Sequence, residues 1–342
     1  MDLLYLFLGL LGLLVGAEMA VGGSLGLAKV WGWPSWVAGV ILLALGTSLP
    51  EFFVAIASAP EHPGLALGTV FGSNAINVGG VLGLMLVLQR SDGIPMRDGR
   101  PATLIALLLG SALAFGAFAD AEIDQWASVG LLMLFVAVLW SSLKGGASRP
   151  IDGSSASIED ASSDDGRVDL AEFVVGEGSE EAPAPIWRSA LLAISGFAML
   201  AVASKGFLIG ALGLAEMLGW GAGFAGFLIA AAGTSAPELF TSVQAMRKGH
   251  AGAVFGNVLG SNAFNLLLVG GTTGVLARAP IDPIEIQPQL WVNLAACAVL
   301  ALPMIVPRQE GRRTKTGVWG GVLLLAGYVA AAYWIGMGST SV

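Results

Sequence analysis

Two glutamates, each inside an apolar stretch, are the residues of this chain best placed to do chemistry. Glu51 ends the hexapeptide GTSLPE at 46–51, and Glu238 ends its near copy GTSAPE at 233–238. A charge at the centre of a bilayer costs about 2.5 to 3.5 kcal/mol even on the most lenient insertion scale. A chain that carries such a charge twice in matching contexts needs a compensating partner, and the natural partner is a cation.

The residues around each glutamate supply further oxygen donors. Pro50 lacks a backbone N–H and crowds the carbonyl of Gly46, so the sequence predicts a helix kink or break that frees carbonyl oxygens near Ala44. Hydroxyl groups precede the proline in both copies. A second repeated block places Ser73 and Asn77 four residues apart, on one face of a helix, and the block recurs at 260–265.

These groups are carboxylates, carboxamides, hydroxyls and carbonyls, which favour a hard cation. Calcium takes about 6 to 8 oxygen ligands, and two carboxylates balance its charge, whereas zinc or copper would call for His or Cys. His62 and His250 fall in predicted loops and Cys297 is alone in an apolar stretch. The sequence therefore predicts no zinc or copper site and no resident cofactor.

Composition indicates a membrane protein with several spans. Hydrophobic residues make up 55% of the chain and charged residues 12%, and the mean hydropathy is +0.78. Apolar runs of about 20 residues predict ten membrane spans. The predicted spans are 3–28, 34–58, 64–88, 101–119, 125–143, 188–213, 221–246, 251–276, 288–307 and 317–336.

The two repeats divide the chain into equivalent halves. The first half, 1–143, contains the motif 39–84, and the second, 188–342, contains the motif 226–271. Each half has five predicted spans, and an odd number places the second copy upside down in the membrane. The predicted fold is an all-α integral membrane protein with ten transmembrane helices in two inverted five-helix repeats.

The segment 144–187 between the halves has a different composition. Residues 152–181 contain ten Asp or Glu residues, and Arg167 is their one basic residue. Such a segment buries too little apolar surface to offset its chain entropy, so we expect a disordered acidic linker. It lacks the ligand spacing of an EF-hand loop, which favours a solvated tether over a calcium-binding regulator.

The distribution of basic residues predicts the orientation. With the N-terminus outside, 14 of the 16 Lys and Arg residues fall on the cytoplasmic side. Both termini are then outside and the linker is cytoplasmic. The first span lacks a cationic leader and matches an internal span of the second half, so we interpret it as a retained helix of a multi-pass inner or plasma membrane protein.

The paired blocks resemble the two α repeats of the calcium/cation antiporter superfamily, in particular its prokaryotic sodium/calcium exchanger branch. The resemblance implies two long sloping helices, the first and sixth spans, that slide past an eight-helix core, and exchange of cytoplasmic calcium for external sodium. It also implies a set of ion ligands drawn from both repeats. These positions are Ala44, Thr47, Ser48, Glu51, Ser73 and Asn77, followed by Ala231, Thr234, Ser235, Glu238, Ser261 and Asn265.

Two departures from the family pattern affect the expected site. Several relatives, including potassium-dependent ones, carry Asp where this chain has Asn265, so two carboxylates and not three are expected, which argues against potassium co-transport. Thr69 stands where the second repeat has Asn257, which leaves the role of this position open.

The sequence thus predicts a sodium/calcium antiporter that works by alternating access and exports calcium. Its expected partners are the two transported ions and the lipid bilayer, with no nucleic acid, and it is expected to work as a monomer. Proton-driven exchange of calcium or another divalent cation is the alternative. A passive channel would need a continuous polar lining, and a membrane hydrolase would need a base beside Ser48 or Ser235, so no enzymatic activity is expected.

Overall fold

The computed structural model describes residues 1–88, 101–146, 185–217, 233, 235–305 and 316–338. Within these ranges every regular element is helical and no strand occurs. The helices, in chain order, are α1 (Asp2–Trp31), α2 (Ser35–Ser58), α3 (Pro63–Leu88), α4 (Pro101–Phe118), α5 (Gln125–Gly146), α6 (Ile186–Met217), α7 (Ala236–Arg247), α8 (Ala251–Leu276), α9 (Pro283–Ile305) and α10 (Thr316–Gly338).

Seven of the described helices are long and apolar enough to cross a membrane, namely α1, α2, α3, α5, α6, α8 and α9. Helices α4 and α10 contain shorter apolar segments, Ala102–Phe118 and Val318–Trp334. Half of the predicted span 221–246 lies outside the described residues, and its last part forms most of α7. The all-helical membrane class is therefore confirmed, whereas ten spans in two inverted copies stay a prediction.

The predicted acidic linker 144–187 lies outside the described residues, apart from 144–146 and 185–187. Helix α5 continues to Gly146 and α6 begins at Ile186, so both helices extend slightly into the segment predicted as linker.

Helices α1 and α6 pack against each other along most of their length through glycines. A Cβ atom at Gly23 would overlap the backbone of Ala193, and one at Gly196 would overlap the backbone of Ala20. In a bilayer the lipid tails are as apolar as the side chains, so helices associate by close packing, and small residues allow that close approach. Many large apolar side chains of both helices remain exposed on the other side. The two longest helices thus form a pair against the rest of the bundle.

The core of the bundle is formed around α3 and α8, the most buried of the membrane-length helices. Helix α2 packs closely on α8, because a Cβ atom at Gly256 or Gly260 would overlap the backbone of α2 at Trp36 or Val40. Asn74 of α3 and Asn262 of α8 are repeat equivalents, and each side chain donates to the other's backbone carbonyl, at 3.4 and 3.3 Å. The second repeated block of each half therefore meets its counterpart at the centre of the protein.

Three of the described helices contain a π-helical segment. These segments are Gly39–Leu43 in α2, Asn77–Leu82 in α3 and Phe264–Val269 in α8. The last two are repeat equivalents, and each contains the asparagine that the sequence marked as a ligand. A π-helical segment changes the hydrogen-bond register and so redirects side chains and carbonyls, which is why such segments are frequent at functional sites.

Helix α2 continues through Pro50. The chain is α-helical from Ala44 to Ser58 with the proline inside, so of the two predicted outcomes, a kink or a break, a break is excluded. The irregular backbone instead lies about two to three turns before the proline, in the π-helical segment Gly39–Leu43. The missing N–H of Pro50 still leaves the Gly46 carbonyl without its usual helical donor.

Candidate functional site

The two glutamates lie in the interior of the protein and close to each other. Glu51 is on α2 and is 4% exposed, and Glu238 is in the first turn of α7 and is 1% exposed. Each half of the chain supplies one of them, and they are near enough for their charges to interact. The Ser48 hydroxyl of the first repeat donates a hydrogen bond of 3.1 Å to Glu238 Oε1 of the second. The two repeats therefore build one site.

Most of the polar atoms in this region have no hydrogen-bond partner among the described residues. Both carboxylate oxygens of Glu51 and Oε2 of Glu238 are in this state, although they are buried. The same is true of further candidate ligands, namely the hydroxyls of Ser73, Ser235 and Ser261 and both amide atoms of Asn77 and Asn265. A buried polar group without a partner costs about 1 to 3 kcal/mol, and more when it is charged. Such a concentration indicates a site built to receive a ligand.

The chemistry of these atoms fits a hard cation. The oxygens come from two carboxylates, two carboxamides and several hydroxyls, which is the donor set that calcium and sodium accept. Within the described ranges, no three or more His, Cys, Asp and Glu side chains are grouped so that they could hold a metal ion. The described donors therefore fit a cation bound by mixed oxygen ligands.

The packing of the helices brings each asparagine towards the glutamate of the other repeat. Helix α7, which carries Glu238, contacts the π-helical segment Asn77–Leu82. Helix α2, which carries Glu51, contacts the π-helical segment Phe264–Val269, which includes Asn265. The cross-repeat contacts explain how residues far apart in the sequence come close together.

Thr47 and Ala44 are placed differently from the other predicted ligands. The Thr47 hydroxyl donates to the backbone carbonyls of Leu43, at 3.0 Å, and Ala44, at 3.3 Å. The Ala44 carbonyl accepts this hydroxyl in addition to the N–H of its helix, whereas the lone pairs of the Thr47 oxygen remain for a ligand. Their counterparts Ala231 and Thr234 lie outside the described residues.

Asn74 and Asn262 are structural residues of the site that the sequence did not single out. Besides its bond to Asn262, the Asn74 amide donates to Asn293 Oδ1 at 2.8 Å, and Asn293 donates to Ser111 Oγ at 3.3 Å. Asn74 directly follows Ser73 and lies three residues before Asn77, and Asn262 stands in the same relation to Ser261 and Asn265. Their repetition at an offset of 188 was visible in the sequence and is the signal that could have found them.

The histidines and the cysteine lie outside the two helices that carry the glutamates. His62 precedes α3 and His250 precedes α8, as the predicted loops require, and Cys297 is buried in α9. Burial, with the nearby Lys248 charge, lowers the pKa of His250. Lys248 itself forms an ion pair with Glu18 of α1 at the end of α7. This ion pair joins helix α1, and with it α6, to the core of the bundle.

Comparison with known proteins shows one consistent relationship. The sequence pattern of the family described as sodium/calcium exchanger protein matches residues 1–144 and 188–337. The chain is 30% identical to the inner membrane protein YrbG of Escherichia coli over 96% of each chain. It is 26% identical to the sodium/calcium exchanger MaX1 of Methanosarcina acetivorans, over 96% of this chain and 97% of that protein.

A solved structure of the sodium-calcium exchanger NCX_Mj superposes on the chain with a TM-score of 0.72. The aligned residues are 26% identical and cover 96% of this chain and 97% of the other. The likeness therefore extends over both halves of the bundle.

Proposed function

The chain belongs to the sodium/calcium exchanger family, and from this we propose that it is a secondary transporter that exchanges sodium for calcium across a membrane. The observation that carries the proposal is the group of buried oxygens without hydrogen-bond partners around Glu51 and Glu238. Resemblance to MaX1 and to NCX_Mj, both named as sodium/calcium exchangers, supports the same ions as substrates.

In the proposed site one calcium ion, or competing sodium ions, binds between the two carboxylates. Two carboxylates neutralise one divalent cation, and the neutral amide and hydroxyl oxygens complete its shell without adding charge. Sodium can use the same oxygens, so the two ions exclude each other. Competition for one set of ligands is what couples their movements.

The proposed transport step is a movement of the α1–α6 pair past the rest of the bundle. The glycine-mediated contact makes these helices a unit, and their other face meets lipid. Moving the pair over an empty site would expose two buried, unneutralised carboxylates to an apolar barrier, which is costly. A filled site removes that cost, so the movement depends on a bound ion and the return without an ion is suppressed.

We further propose the predicted topology of ten spans in two inverted repeats, with both termini outside and the linker in the cytoplasm. The cross-repeat contacts of α2 and α7 with the opposite asparagine segments support the pairing of the halves. In this orientation inward movement of sodium drives calcium out of the cytoplasm. The orientation can be tested by labelling single cysteines with a membrane-impermeant reagent in a variant with Cys297 replaced. A cysteine at residue 2 should be labelled from outside, and one in segment 152–181 only from the cytoplasmic side.

The function is tested by calcium flux into vesicles that contain the purified protein. Vesicles loaded with sodium and diluted into sodium-free medium should take up calcium, and vesicles loaded with potassium should not. A pH gradient in the absence of sodium is the control for the proton-driven alternative. Uptake driven by the pH gradient alone would replace the proposed coupling ion, and no uptake under any gradient would remove the proposal.

A further inference from the structure

Asn257 of α8 is fully buried beside the first turn of α7 and holds that turn through its side-chain amide. Its Nδ2 group lies 3.4 Å from the Glu238 backbone carbonyl, 3.2 Å from Thr241 Oγ1 and 3.2 Å from Ser242 Oγ. The carbonyl can only accept a hydrogen bond, so the amide nitrogen must face α7. Thr241 extends the network, because its own hydroxyl donates to the Pro237 carbonyl at 2.7 Å.

Glu238 needs such support more than Glu51 does. Glu51 lies in the middle of an α-helix that runs from Ala44 to Ser58, so helical hydrogen bonds fix its backbone on both sides. Glu238 lies in the first turn of α7, and Ser235, the residue before that helix, makes no side-chain capping bond. The N–H groups of a first turn lack the partners of a helix interior, so contacts from other helices, such as those of Asn257, help to orient this turn.

The first repeat has no equivalent of this network. Thr69 occupies the position of Asn257, and its hydroxyl donates to the Leu65 carbonyl of its own helix, at 3.0 Å. Val54 and Ala55 occupy the positions of Thr241 and Ser242 and have no hydroxyl group to offer. The two glutamates are thus repeat equivalents that are held in different ways.

We propose that Asn257 is a positioning residue that fixes the Glu238 carboxylate for ion binding through the backbone of α7. This inference rests on the proposed function. The donor at position 257 and the hydroxyls at 241 and 242 form one unit of the second repeat, and the three contacts of the Asn257 amide nitrogen are all with α7, the helix that carries Glu238.

The test is to exchange the two equivalent residues. Asn257→Thr removes the hydrogen bonds that the side-chain amide donates to α7. Sodium-driven calcium uptake should then need about a ten-fold higher calcium concentration for half-maximal rate, as expected for the loss of one or two hydrogen bonds. The maximal rate should change by less than about two-fold, because both carboxylates remain. The matched variant Thr69→Asn should leave both quantities unchanged, since the side chains of Val54 and Ala55 offer no acceptor to the new amide.

Protection against heat separates positioning from general stabilisation. Added calcium chloride should raise the melting temperature of detergent-solubilised wild-type protein and of Thr69→Asn, and should do so for Asn257→Thr only at about ten-fold higher concentration. If Asn257 had a purely structural role, Asn257→Thr would have a lower melting temperature without calcium, but the calcium concentration that gives half of the stabilisation would be unchanged. That result would overturn the inference. Thr241→Val and Ser242→Ala, which remove the acceptors singly, should each give a smaller shift in the same direction.

The outcomes also distinguish this inference from the function on which it rests. Wild-type protein that transports calcium, together with Asn257→Thr of unchanged calcium requirement, would overturn only the positioning role. Wild-type protein that shows neither sodium-driven uptake nor protection by calcium would overturn the proposed function, and the positioning role with it.

Discussion

Replacing either buried glutamate by glutamine should nearly abolish calcium transport. The substitution keeps the shape of the side chain and removes one of the two charges that balance the ion. Glu51 and Glu238 are 4% and 1% exposed, so water cannot take over the lost role. Removing one partner of a buried ion pair costs about 3 to 5 kcal/mol. This corresponds to a loss of calcium affinity of about a hundred-fold to several thousand-fold.

In the absence of ions, the same substitutions should leave the stability of the folded protein unchanged or raise it. The two carboxylates repel each other, and most of their oxygens have no partner within the described part of the chain. Removing one buried charge relieves that repulsion and part of the desolvation cost, so Glu51→Gln should melt at or above the temperature of the ion-free wild type. Added calcium should then raise the melting temperature of the wild type and not that of the variant.

The assay combines sodium-driven calcium uptake into vesicles with thermal unfolding of the same preparations. Glu61→Gln is the matched control, because it makes the same substitution at an exposed residue between α2 and α3. It should transport calcium like the wild type. Uptake near the wild-type rate in folded Glu51→Gln or Glu238→Gln would refute the assignment of that carboxylate as an ion ligand.

Further predictions concern the site and its surroundings. Ser48→Ala removes a 3.1 Å hydrogen bond to a buried carboxylate and should raise the calcium concentration for half-maximal uptake about ten-fold or more, whereas Ser58→Ala, outside the site, should not. Asn265→Asp adds a third carboxylate and should retain some exchange while gaining sensitivity to potassium or pH; unchanged ion dependence would place residue 265 outside the site. Deletion of 152–181 should spare exchange, and an inserted but inactive deletion variant would give the segment more than a tethering role. Burial lowers the pKa of His250, so the folded state resists its protonation and stability should fall as the pH drops below about 6.5; His250→Gln should flatten that fall in thermal unfolding, and an unaltered pH profile would contradict this.

Much of the fold and of the candidate site follows from the sequence because the repeats are marked by rare residues. A glutamate, a proline and an asparagine within apolar runs are costly or disruptive in a bilayer, so their recurrence in the same order in both halves is by itself a sign of function. The same runs, by length alone, place α1, α2, α3, α6 and α8 close to their observed bounds.

The features that the sequence did not predict depend on contacts between helices. The π-helical segments are not marked by composition, and whether a helix bends or breaks at a proline depends on what packs around it, as α2 shows at Pro50. The roles of Asn74 and Asn257 depend on which carbonyls the bundle brings within reach. Only the packed structure shows why Asn257 and Thr69, at equivalent positions, behave differently.

Equilibrium binding of radioactive calcium to the purified protein at increasing sodium concentrations tests most directly whether Glu51 and Glu238 form one site that both ions share. One calcium ion should bind per chain, sodium should displace it with a dependence steeper than one sodium ion per site, and no calcium should bind when Glu51 and Glu238 are both replaced by glutamine. Calcium binding that ignores sodium, or that persists in the double variant, would show that the two buried glutamates are not the shared site of exchange.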